Sequence, residues 1–322
     1  SVEASIKLVK WYTRKPHLIA FVGAFHGRTM GSLALTASKP VHKEKFFPWM
    51  PGAIHVPYPN PYRPLRGVAP EDLTGLVIDL IERHIEAYLG DNVAGIFVEP
   101  VQGEGGYVVP PADFLPSLRK LATERGIPLV IDEVQSGFGR TGRMFACEHF
   151  DVVPDVITLA KGMGSGLPIG AIVIDRKMDF RVKGAHSNTY GGNLVASAAA
   201  TATIEVIQSE GLLENAARQG DLIMSRLREI QERVPHLGDV RGLGLMIAAE
   251  FVRDPSTKEY APRFRDSIVK EAYKRGLILL PCGRSAIRFI PPLVISEEDA
   301  TAGMDVFEKS VDAAYKHTNF GH

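Results

Sequence analysis

Cysteine is nearly absent: Cys147 and Cys282 are the only two in 322 residues and form no CxxC pair. A disulfide framework is therefore excluded, both residues read as core, and the chain fits a reducing cytoplasm. An excess of charge is missing too. Lys plus Arg and Asp plus Glu each number 37, for a formal net charge of zero, so no basic face announces nucleic acid or an acidic membrane. No apolar run reaches the roughly 18 residues that span a bilayer, and no signal-peptide pattern opens the sequence. The expectation is a cytoplasmic protein acting on small molecules, with no metal site. Repeats, heptads and low-complexity segments are lacking as well. So is an initiator methionine: Ser1 to Lys10 begins at once with helix spacing, Val2, Ile6 and Val9 on one face and Glu3 in the first turn. A fragment cut just upstream of this helix is expected, with a processed natural start as the alternative.

What is present is an alternation of apolar runs and amphipathic stretches. Strands are expected at His17 to Gly23, Val93 to Val98, Ile127 to Ile131, Val156 to Ala160 and Ile169 to Ile174, with helices at Leu73 to Leu89, Phe114 to Arg125 and Leu194 to about Gln208. The proline-rich and aromatic stretch from Pro48 to Pro70 has no periodicity and reads as a surface excursion. Continuous Val, Ile and Leu strands between helices imply an α/β fold whose mostly parallel sheet is flanked by helices on both faces. A second region follows a boundary near residues 211 to 213. Helices at Leu212 to Val234, Phe264 to Arg275 and Glu297 to Tyr315, with strands at Gly244 to Phe251, Leu277 to Leu280 and Ala286 to Ile290, make a smaller C-terminal α+β domain. The division is thus 1–212 and 213–322.

In an open parallel sheet, ligands bind outside the carboxyl ends of the strands. Four expected strands end there in ionisable residues: Phe25-His26-Gly27-Arg28, Glu99 to Glu104, Asp132 to Gln135, and Lys161 before Gly162-Met163-Gly164-Ser165-Gly166. A lysine on a bare loop can form an imine with a carbonyl cofactor, and a carboxylate such as Asp132 can keep a pyridine nitrogen protonated, so the pair suggests pyridoxal phosphate. The bland readings are an exposed loop lysine and a helix-capping aspartate; the glycine loop and the buried strands favour function. Phe25 could stack on a cofactor ring or belong to the core, and His26 could be a hydrogen-bonding or a structural residue. Arg28 and Arg288 suit carboxylate recognition. Arg288 lies within the apolar Ala286 to Ile290 and needs a partner or ligand there, Glu104 being a plausible one. Arg140 and Arg143 could bind phosphate or a neighbouring subunit, and read rather as structural or interface residues. The glycine loop lacks the GxGxxG spacing and its following helix, which disfavours a dinucleotide oxidoreductase.

Phe25-His26-Gly27-Arg28-Thr29, Glu99-Pro100-Val101-Gln102-Gly103-Glu104-Gly105-Gly106, Ile131 to Gly142 and Thr158-Leu159-Ala160-Lys161-Gly162 together resemble the class III pyridoxal-phosphate aminotransferases, which include the 4-aminobutyrate, ornithine and acetylornithine enzymes. The similarity runs over essentially the whole chain. It implies a fold-type I transferase with pyridoxal 5'-phosphate as cofactor. Lys161 would be the imine-forming lysine and proton shuttle, Asp132 the partner of the pyridine nitrogen, and Gln135 the partner of the ring hydroxyl. Val134 and Phe25 would sandwich the ring beside His26, and Thr189 would reach the cofactor phosphate of the other subunit of a homodimer. Arg28 would hold a distal carboxylate, Arg288 the α-carboxylate, and Glu104 would pair with Arg288 when the substrate has none. The resemblance implies ping-pong transfer from an ω-amino acid of the 4-aminobutyrate type to a 2-oxo acid, 2-oxoglutarate. A racemase or epimerase, or a decarboxylating transaminase, would share these residues. The family's phosphate-binding Gly-Ser/Thr loop precedes the first helix and is not in this sequence, so an impaired fragment with weak cofactor retention is a further alternative.

Overall fold

Strands without polar alternation need cover on both faces, and the computed structural model, which describes residues 1–65 and 67–317, supplies it. Helix α1 (Val2–Thr13) leads into β1 (His17–Phe21), a short α2 (Met30–Leu35) and β2 (Ala53–Val56). Helix α3 (Leu73–His84), extended by one wide turn over Ile85–Leu89, precedes β3 (Val93–Val98), α4 (Phe114–Glu124), β4 (Leu129–Asp132), β5 (Val156–Leu159) and β6 (Ala171–Ile174). The sheet order is β2-β1-β3-β4-β5-β6, parallel except for β6, which runs antiparallel to β5.

The strand periodicity of two divides its core cleanly. Ile19, Phe21, Ile96, Val98, Leu129 and Ile131 face α3 and α4, through Val77, Ile81, Phe114 and Leu118. Leu18, Ala20, Phe97, Val130 and Val156 face α1, through Ile6 and Val9. All six residues of β3 are buried, each large one contributing roughly 1.5–3 kcal/mol. At Gly95 of β3 a Cβ would crowd the Val9 side chain at 3.3 Å, so α1 packs closely on the sheet there.

The chain leaves this sheet along α5 (Leu194–Ser209), capped by Asn193 Oδ1 accepting from Ala196 N at 2.9 Å. Gly211 (φ +62°) turns it into α6 (Leu212–Arg233). Strands β7 (Leu237–Leu243), β8 (Met246–Phe251), β9 (Leu280–Cys282) and β10 (Ala286–Phe289) form an antiparallel sheet in the order β7-β8-β10-β9. Helices α6, α7 (Pro262–Lys274) and α8 (Glu297–His317) cover it around Leu227, Phe251, Phe264, Ile287 and Phe307.

Three elements depart from expectation. The excursion from Pro48 to Pro70 contains β2, which adds to β1 through a register from Leu18↔Ala53 to Phe21↔Val56. Strand β7 was hidden by its two glycines and two charges; pairing with β8 and ion pairs from Arg241 to Asp239 and Glu250 hold it instead. Strand β9 starts at Leu280 rather than Leu277, since in this segment only Leu280, Pro281 and Cys282 pair with β10. No helix among the described residues is long and apolar enough to cross a membrane, and no group of three or more His, Cys, Asp or Glu is placed there to hold a metal.

Candidate active site

The parallel strands reverse their order of connection between β1 and β3: the chain steps from β1 outward to β2, then back past β1 to β3, β4 and β5. That reversal opens a crevice at the strand ends. His26 follows β1, Glu99 follows β3, Asp132 ends β4 and Lys161 follows β5, so the four loops read from the sequence stand side by side.

Asp132 is 4 % exposed, and its Oδ2 lies 2.8 Å from His26 Nδ1 while Oδ1 accepts from Val134 N at 3.0 Å. The His26 side chain is fully enclosed, edge-on to Phe97, with its backbone N–H on Thr36 Oγ1. Burial disfavours its charge, yet the hydrogen bond and charge of Asp132, with Glu99 adding, outweigh it and raise the imidazole above its ordinary pKa. Glu99 accepts from Phe25 N at 2.9 Å and Gly103 N at 3.0 Å, tying the loop after β1 to the loop after β3. Its burial drives the carboxyl up to about 7, against the opposing pull of His26 and those two amides.

Lys161 holds φ at +37°, a backbone state unusual outside glycine, at the start of a single turn over Lys161–Gly164. Its side chain is exposed at a cleft of about 530 Å³ that it shares with Val134, Gln135, Ser165 and Thr203. Beside it Gln135 Oε1 is buried without a hydrogen-bond partner among the described residues, and Gly103 is pressed so closely that a Cβ would lie 2.5 Å from Gln135 Nε2. An orphaned buried amide oxygen calls for a donor. Amine, enclosed carboxylate and unsatisfied amide are the donor set that pyridoxal phosphate requires, and the residues fit it.

Glu104 Oε1, in the loop after β3, accepts from Arg288 Nη1 of β10 at 2.6 Å, and Arg288 Nε is buried with no hydrogen-bond partner among the described residues. The Arg288 charge draws the Glu104 carboxyl below its usual range despite partial burial, with Lys39 adding. Arg28 is exposed, its guanidinium 5.6 Å from the Phe25 ring centre, and Phe25 itself is half-buried, edge-on to His42. Thr189 stands exposed in the segment before α5. Arg140 donates to the carbonyls of Pro291 and Leu245, a structural tie to the second sheet, while Arg143 is exposed. One residue was missed: Lys39, 3.5 Å from Glu104 Oε2, sits in a polar loop that offered no signal. Glu99, read only as the first of the ionisable run after β3, could have been singled out, since an acid directly after a fully buried strand cannot be solvated.

A sheet of this topology with a lysine and a histidine-braced aspartate at its strand ends defines the pyridoxal-phosphate transferases. Solved structures agree: the ω-transaminase of Pseudomonas jessenii in complex with PMP superposes with a TM-score of 0.92 at 29% identity, covering 99% of this chain and 74% of that one. A thermostable (S)-enantioselective ω-transaminase from Thermomicrobium roseum does so at 0.88 and 34%, over 98% and 72%. The aminotransferase class-III family model matches residues 1–311, and the chain belongs to that family. Relatives include an alanine/serine racemase of Pyrococcus horikoshii, 40% identical over 97% of this chain and 67% of its own length. A 4-aminobutyrate aminotransferase of Mycobacterium leprae is 40% identical over 96% and 70%.

Proposed function

We infer that this site transfers the amino group of an ω-amino acid of the 4-aminobutyrate type to 2-oxoglutarate, in two half-reactions at one crevice. The Glu104–Arg288 pair carries the reading. Closed, at 2.6 Å, it neutralises Arg288 and admits a donor that has no α-carboxylate; opened, it offers a guanidinium fork to the α-carboxylate of a 2-oxo acid. A site serving one kind of substrate has no use for such a pair.

When bound, pyridoxal phosphate supplies an aldehyde that condenses with amines and a protonated ring that takes up the electron pair left at the substrate Cα. Asp132 would hold the proton at the ring nitrogen, and His26, with Nδ1 2.8 Å from Oδ2, keeps that carboxylate in place. Gln135 would bond the ring oxygen, with Phe25 and Val134 on the two faces. Lys161 Nζ would anchor the cofactor and then move the proton at the substrate Cα. Arg28 would take the distal carboxylate. Thr189, exposed here, would bind the cofactor phosphate of a second copy, making a homodimer the working unit.

The racemase relatives support a second reading, change of configuration at Cα, which needs the same lysine and aspartate. Purified protein supplied with pyridoxal phosphate, 4-aminobutyrate and 2-oxoglutarate is expected to form glutamate, with little D-alanine from L-alanine. Rapid alanine racemisation without glutamate formation would reverse the assignment.

A further inference from the structure

We propose that Lys39 is the docking point of the Glu104 side chain when it swings off Arg288, and so sets how readily the site admits an α-carboxylate. This deepens the aminotransfer reading and rests on it. The Glu104 carboxylate lies between two cations: Arg288 Nη1 at 2.6 Å from Oε1 and Lys39 Nζ at 3.5 Å from Oε2. All three side chains are largely shielded, at 18 % exposure for Glu104, 16 % for Arg288 and 29 % for Lys39. A carboxylate there that lost its only counter-ion would be strongly disfavoured, whereas one passed between two counter-ions is not.

The backbone around Glu104 restricts the movement to the side chain. Glu104 O accepts from Gly283 N at 2.9 Å, Gly103 N is held by Glu99, and Gly105 has no room for a Cβ beside Gln102 and the Gly23 carbonyl. Lys39 comes from the loop after α2, on the same parallel-sheet unit as Glu104, while Arg288 comes from β10 on the other sheet. The loop is itself braced by Ser38 Oγ on His42 Nδ1 at 2.9 Å. The longer contact to Lys39 is thus the waiting position and the shorter one to Arg288 the resting one.

Lys39→Met keeps the aliphatic stem and removes the ammonium. The expected result with holoenzyme is opposed movement of two Michaelis constants: that for 2-oxoglutarate rises about tenfold, and that for 4-aminobutyrate stays level or falls, because Arg288 stays paired. Lys39→Arg restores the 2-oxoglutarate value. In a Glu104→Gln background, Lys39→Met changes neither. Equal rises of both constants, or a rise that persists in the Glu104→Gln background, would overturn the proposal, the latter by showing that Lys39 touches the 2-oxo acid itself. Failure of wild-type protein to use 4-aminobutyrate would count against the aminotransfer reading alone. The Lys39 effect is then read on the Michaelis constant of whichever α-amino acid the wild type accepts, alanine included, where the same rise supports it and its absence refutes it.

Discussion

Glu99 is an acid enclosed at the meeting point of three strand ends, and replacing it by glutamine should change how stability depends on pH. The wild-type carboxyl is raised from 4.5 to about 7, first by burial and further by Asp132, against the pull of His26 and two amide donors. Below pH 4.5 it is protonated in both folded and unfolded chains and costs nothing. Between 4.5 and about 7 the unfolded chain has released a proton that the folded chain keeps, so stability falls as pH rises. At about 1.4 kcal/mol per pH unit the gap amounts to about 3 kcal/mol. Glu99→Gln cannot ionise; it keeps one oxygen for Phe25 or Gly103 and gives up the other bond, a cost of about 1 kcal/mol at any pH. The stability of Glu99→Gln relative to wild type should therefore rise by about 3 kcal/mol between about pH 4 and about pH 8. Urea unfolding followed by tryptophan fluorescence suits the test, because the two tryptophans, Trp11 and Trp49, both belong to the parallel-sheet unit. A difference that does not vary with pH would refute the reasoning: it would mean that the two amides and His26 keep Glu99 ionised as readily as water does.

Three further outcomes follow from the same geometry. Lys161→Ala should lower glutamate formation by about 10⁴-fold with the fold intact, since on the proposed reading anchor and proton carrier are lost together; residual activity within tenfold of wild type would show that another base moves the proton. Asp132→Ala leaves His26 enclosed with neither ring nitrogen paired, which should cost about 3–5 kcal/mol in urea unfolding, and an unchanged midpoint would show the pair to be solvated. Gly103→Ala drives a methyl into Gln135, with Nε2 only 2.5 Å away, and should weaken pyridoxal phosphate retention about tenfold, at a folding cost of about 1–3 kcal/mol, as read by the visible absorbance left after dialysis.

The strands that carry the chemistry were legible because they are buried on both faces. Val93–Val98 needed no polar alternation and showed none, and the change from Val-Ile to Asp132, or from Leu-Ala to Lys161, marked the strand ends where the ligand crevice opens. Pairing, rather than composition, makes the elements that were missed. Ala53–Val56 is four residues in a proline-rich stretch and becomes a strand by lying beside β1; Leu237–Leu243 is charged and glycine-bearing and is held by β8 and the Arg241 ion pairs. Arg288 advertised its need for a partner by sitting in an apolar strand, and Glu104, 184 positions away, is that partner. Lys39 had no comparable context: a lysine between serine and proline is unremarkable until the fold brings it against a carboxylate already in use.

The division of labour between the two sheets also decides how substrate selection can work. Asp132, His26 and Lys161 belong to the parallel sheet, whereas Arg288 belongs to the antiparallel one, so a hinge between them could in principle gate the site. Hydrogen bonds to backbone carbonyls oppose that: Gly283 N donates to Glu104 O, Arg140 Nη1 to Pro291 O, and Arg241 Nη2 to Gly106 O at 2.6 Å. Opening the sheets would break all three together, at about 1 kcal/mol each and more for the two charged donors. Moving the Glu104 carboxylate from Arg288 toward Lys39 breaks none of them; it gives up the 2.6 Å pair and keeps and shortens the 3.5 Å one. On the proposed reading the low-cost coordinate is rotation of a single side chain within a fixed frame, by which one crevice would serve two differently charged substrates without disturbing the alignment of Lys161 and Asp132.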